Sequence, residues 1–211
     1  MSDVQFTLLA DGSSDKALIP LLTRLIEGNR PDIVAQGELA DFRRLRRPPV
    51  GLGNRIRASV ELFPCNLLFV HRDAEHDPHE TRRREIRTAV EALEEEGLIE
   101  IPTVCVVPVR MQEAWLLVDE NAIRTAAGNP DGRMRLNLPR PHRIEDAPNP
   151  KELLFAALRT ASGKSGRKLK DLPVAALRHR VADLMEDITV LRDLPAFAAL
   201  EQELAPILVE L

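Results

Sequence analysis

Four short apolar runs alternate with longer amphipathic stretches through the first half of the chain, and this rhythm narrows the fold more than any other feature. Val4 to Ala10, Asp32 to Gln36, Asn66 to His71 and Ile101 to Val109 read as strands, the last enriched in β-branched residues by Val104, Val106 and Val107. Between them, Ser14 to Glu27, Gly53 to Leu62 and His79 to Glu96 carry helical periodicity. Strands joined by helical crossovers make a parallel sheet with helices on both faces, and such sheets bind ligands outside the carboxyl ends of their strands. The expected class is α/β: a Rossmann-like, mostly parallel sheet flanked by helices.

Beyond the fourth run, Gln112 to Asp119 looks helical and the Pro- and Arg-rich stretch from Asn129 to Pro150 looks irregular. The remainder turns helical, with apolar stripes at Leu153, Leu154, Ala157 and Leu158, at Leu177, Val181 and Leu184, and at Phe197, Leu200, Leu204 and Leu208. The expected division is an α/β domain over 1–128 and, over 129–211, a linker with a C-terminal helical cap on the core. With 211 residues, 44% of them hydrophobic, the chain can bury one substantial core. Its 33 acidic and 29 basic residues give a formal charge of -4, so no global basic field draws in nucleic acid and any phosphate must be held locally. Cys65 and Cys105, without companions at zinc-finger spacing, read as free thiols of a reducing cytosol. No basic-then-apolar leader and no apolar run near the roughly 20 residues of a membrane span occur, so a cytoplasmic protein without a membrane partner is expected.

Two acidic turns follow two of the apolar runs. Asp11-Gly12-Ser13-Ser14-Asp15 follows the first, and Asp73-Ala74-Glu75 follows the third. Extended geometry turns Asp73 and Glu75 the same way, and carboxylates at the end of a buried strand suffer desolvation and mutual repulsion unless a cation or donors compensate. Two strand ends meeting around one hard cation, Mg2+ or Mn2+, is the reading this favours. Asp15 also suits the first turn of a helix, and Asp77-Pro78-His79-Glu80 reads as a helix start. His71, His76 and His79 surround these acids and could supply a metal ligand or a proton shuttle, but they match no zinc spacing and are expected to be polar loop histidines. Glu113 beside Trp115, the only tryptophan, reads as an ordinary first-turn acid. Arg43 and Arg44, in a loop rich in helix breakers, Arg72 and Lys151 are candidate phosphate contacts.

Leu9-Ala10-Asp11-Gly12-Ser13-Ser14-Asp15 together with Val70-His71-Arg72-Asp73-Ala74-Glu75 resembles the two signature blocks of the Toprim domain of topoisomerases, primases and the overcoming-lysogenization-defect nucleases. Glu113-Ala114-Trp115-Leu116-Leu117-Val118-Asp119 and Asn149-Pro150-Lys151 narrow the likeness to the Toprim-like DUF4276 group. Two positions depart from the pattern. Asp11 replaces the usual glutamate and Glu75 the usual second aspartate, shifting carboxylate reach by roughly an ångström in opposite directions. The resemblance implies a metal-dependent nuclease of phage defence or mobile elements, acting on nucleic acid or nucleotide phosphates, with an ATPase as a possible partner protein. It implies Asp11 and Glu113 as catalytic groups and Asp73, Glu75 and Asp15 as metal ligands. The alternative is a nucleotide- or nucleic-acid-binding regulatory subunit without turnover. With no tyrosine in the chain, it supplies no covalent tyrosyl intermediate. A haloacid-dehalogenase phosphatase needs Asp-x-Asp after the first strand, where Asp11-Gly12-Ser13 stands, and a response-regulator receiver fits poorly with Glu75 and the helical cap.

Overall fold

A computed structural model describes residues 2–75 and 77–211. The chain runs β1 (Ser2–Leu9), a 3-10 turn over Ser13–Ala17, α1 (Leu18–Asn29), β2 (Ile33–Leu39), α2 (Leu52–Leu62), β3 (Leu67–His71), α3 (His79–Glu95) and β4 (Thr103–Val106). Six helices follow: α4 (Glu113–Leu116), α5 (Glu120–Ala126), α6 (Pro150–Ala161), α7 (Gly166–Lys170), α8 (Val174–Leu184) and α9 (Pro195–Glu210). All strand pairs are parallel, in the order β2-β1-β3-β4. The protein is therefore an α/β fold of the Rossmann-like kind with a C-terminal helical layer.

Strand alternation splits the core in two. Leu8, Leu67, Phe69 and Val106 face one side, where α1, α4, α5, α6, α8 and α9 pack. Leu9, Leu68, Val70 and Cys105 face the other, with Ile56 of α2 and Ile86 of α3. In α1 the buried residues Leu18, Leu21, Leu22, Leu25 and Ile26 recur at helical spacing, which presents one apolar stripe to the sheet. Trp115 is fully buried and meets Phe197 edge-to-face at 5.1 Å, so α9 is locked to α4 across the same core that covers the sheet. The C-terminal helices thus complete the core of the sheet domain.

A glutamate meets one backbone donor on each edge strand. Glu27 accepts a hydrogen bond from the Ala35 backbone N–H of β2 and Glu203 from that of Cys105 in β4, each at 3.2 Å. Two extents differ from expectation. β4 covers only four residues, because β3 offers it four partners, from Leu68 to His71. The helix expected from Ser14 begins instead with the 3-10 turn, which aims Asp15 inward. Among the described residues no helix is long and apolar enough to cross a membrane.

Candidate functional site

The chain leaves β1 for β2 on one side and returns to β3 on the other, so the carboxyl ends of β1 and β3 flank the point where strand order reverses. Crevices at such points are where open α/β sheets bind ligands. Into it project His71 from the end of β3, Asp73 two residues on, Asp15 from the 3-10 turn, and Gln112 and Glu113 from the start of α4.

His71 ends an apolar strand on the same face as Leu67 and Phe69 and is 2% exposed, so it belongs to the sheet and is not the loop histidine expected. Its Nδ1 bonds the Val106 carbonyl at 2.9 Å, an acceptor that requires the proton on Nδ1. Nε2 is thereby turned to the crevice, 3.4 Å from Asp73 Oδ1 and 3.9 Å from Asp15 Oδ2. His79 pairs with Glu80 at the rim, and His76 lies outside the described residues.

Asp15 is buried and well supplied: Oδ2 accepts from Gly12 N at 2.9 Å, and Oδ1 from Ser14 Oγ at 2.9 Å and Gln112 Nε2 at 2.7 Å. Asp73 is not. Its one hydrogen bond among the described residues comes from the Gln112 backbone N–H at 3.2 Å. Burial pushes its carboxyl up to about 6, and the nearby Asp15 and Glu113 charges push the same way, against the lowering effects of His71 and the Gln112 N–H. Glu113 is 4% exposed and held by Arg178 of α8, 5% exposed, through a 2.6 Å contact between Arg178 Nη1 and Oε1. Two further atoms of this set, Gln112 Oε1 and Arg178 Nε, are buried without a hydrogen-bond partner among the described residues.

The remaining acids stand elsewhere. Asp11 is exposed and engaged by Arg55 Nη1 at 2.5 Å, with Arg72 Nε at 3.8 Å, on the α2 side of the sheet. Arg72 and Asp73, being consecutive, diverge to opposite sides, and Asp11 keeps company with the former. Glu75 is exposed, with φ of 55°, and its N–H donates to the carbonyl of Arg110, itself at φ 62°. Two non-glycine residues in the left-handed region, bonded to each other, mark the rim of the crevice as strained.

Arg43 is bound to its neighbour Asp41 through Nε and Nη2, and Arg72 to Glu85 at 2.5 Å. Arg44 is exposed, and Lys151 is exposed at the second residue of α6. Asp77 pairs with Arg82 at 3.0 Å, while Pro78 takes the position preceding α3.

A cation fits this donor set in kind. The imidazole has one nitrogen tied to a carbonyl and the other facing two carboxylates, the usual preparation of a ligating histidine. The 3.4 Å between Nε2 and Asp73 Oδ1 is close to the roughly 3.0–3.4 Å between neighbouring donors around an ion with bonds of about 2.1 Å. Among the described residues no three His, Cys, Asp or Glu side chains are gathered so as to hold a metal ion.

Comparison with family models, curated proteins and solved structures finds no match for the chain. What fold and site define is a class: a parallel α/β protein with an acid–imidazole crevice at the reversal point of its sheet.

Proposed function

We propose that the chain is a Toprim-like, divalent-cation-dependent protein that cleaves phosphodiester bonds, with its centre at Asp15, His71 and Asp73. The observation that carries this reading is Asp73: a carboxylate at a strand end, raised to about 6 by burial and neighbouring acids, with the free nitrogen of an oriented imidazole aimed at it. Such a group lacks positive charge, and a cation supplies it. Imidazole is a better ligand for Mn2+ than for Mg2+, which favours manganese of the two expected cations.

In that role Asp73, His71 and Asp15 would hold the ion, which would supply Lewis-acid polarisation of a phosphoryl oxygen. Gln112 fixes Asp15 and Asp73 at once, through its side-chain amide and its backbone N–H. Glu113, neutralised by Arg178, orients α4 and with it Gln112, a positioning task in place of a catalytic one. The side-chain oxygen Oε1 of Gln112, buried and without a hydrogen-bond partner among the described residues, can accept a hydrogen bond from a water and orient it, without taking its proton.

A second reading, a nucleotide-binding regulatory subunit without turnover, is favoured by two observations: Asp11 is saturated by Arg55, and Glu75 is turned to solvent. Plasmid nicking with manganese separates the readings. Cleavage by the wild type, abolished in D73N and retained in D11N, supports the enzyme. Absence of cleavage from a protein that still binds manganese supports the regulator.

A further inference from the structure

The geometry points to a second binding pocket, for a nucleoside monophosphate unit, between the acidic turn and α8. A cavity of about 620 Å3 opens beside Ser13 and Lys16, the residues flanking the buried centre in the 3-10 turn, and is closed on its far side by His179 of α8. That size lies within the range of roughly 300–1,000 Å3 typical of small-molecule sites.

The lining divides by chemistry. Lys16 is exposed and has no ion-pair partner among the described residues, and Arg43 retains Nη1 after Asp41 has taken Nε and Nη2. With the Ser13 hydroxyl these are donors for a phosphate. His179 is half-buried, and burial, then the Arg178 and Lys16 charges, lower its pKa against the raising effects of Asp183 and Asp15; its ring adds an N–H donor to the lining. Ala17, Ile19 and Pro20 form an apolar wall for a sugar or base, while Asp183, the one carboxylate of the lining, suits a sugar hydroxyl. A bare inorganic anion would leave that wall and Asp183 unused.

The pocket and the centre share two elements. Lys16 follows Asp15 in the turn, and His179 follows Arg178 in α8. Neighbours on a helix point about 100° apart, so α8 sends one side chain to Glu113 and the next into the cavity. A nucleotide seated here lies beside the bond that the crevice would cleave. Its ligand class rests on the phosphodiester reading above, whereas the binding itself needs no cation.

Titration calorimetry of adenosine 5'-monophosphate into the full chain in EDTA tests this, with adenosine and orthophosphate as controls. The nucleotide should bind, adenosine should not, and orthophosphate should bind at least about tenfold more weakly than the nucleotide. K16A and H179A should each weaken nucleotide binding about tenfold, the loss of one charge-assisted or buried hydrogen bond, with manganese affinity unchanged. Silence of the nucleotide, or equal binding by wild type and both variants, overturns the pocket. A wild-type protein that binds the nucleotide but not manganese would sink the phosphodiester reading alone.

Discussion

His71 Nε2 stands 3.4 Å from Asp73 Oδ1 while the opposite nitrogen of the same ring is anchored to the Val106 carbonyl on β4. The ring therefore cannot turn away without breaking a buried hydrogen bond, and Asp73 faces a donor fixed by the sheet itself. Of the centre only His71 lies on a strand; Asp73 follows β3 by two residues and Asp15 comes from the 3-10 turn.

Asp73 should weaken the metal-free fold. Its pKa in the folded state is about 6 against 3.8 for an ordinary aspartate, so between those values the native state binds more protons than the unfolded chain. Stability from this group is thus lost as pH rises through that window and stays lost above it. In EDTA at about pH 7.5, D73N should be more stable than wild type by roughly 1–3 kcal/mol, and near pH 4 the difference should vanish. Urea unfolding of both proteins at the two pH values checks the sign.

The pair between Glu113 and Arg178 joins two helices through buried charges. R178A should cost about 3–5 kcal/mol by leaving Glu113 uncompensated, whereas the double change E113L/R178M should cost less than either single change. Because Gln112 precedes Glu113, R178A should also weaken manganese binding. Denaturant melts give the first quantity and a metal titration the second.

Much of this was legible in the sequence. The four apolar runs became the four strands and the crossovers their helices, because burial on both sheet faces demands that composition. The acidic turns did come to the strand ends. What strand alternation could have added was the side each residue takes: His71 shares parity with Leu67 and Phe69, which places it on the α1 side of the sheet. Arg178 also left a signal, a charge within the buried set Val174, Arg178, Val181 and Ala182 of α8. Gln112 left none, since an uncharged amide before a short helix has no pattern of its own. Asp15 was masked by its aptness for a helix start, and Asp11 by the absence from the local sequence of Arg55, which claims it.

Gly37 records a packing constraint of a different kind. It lies opposite Phe6 in the β1–β2 register, and a Cβ there would stand 2.2 Å from Phe6 Cζ. G37V should destabilise by about 1–3 kcal/mol through displacement of the ring, and F6L in the same chain should recover part of the loss. Thermal unfolding of the two variants measures both effects.

Manganese affinity, read by calorimetry on wild type, D73N and D11N, tests the acid–imidazole centre most directly. The account predicts one tight ion for wild type, a loss of at least about tenfold in D73N, affinity within about twofold of wild type in D11N, and weakening as pH falls below about 6. Equal binding by wild type and D73N, or a loss confined to D11N, would contradict it.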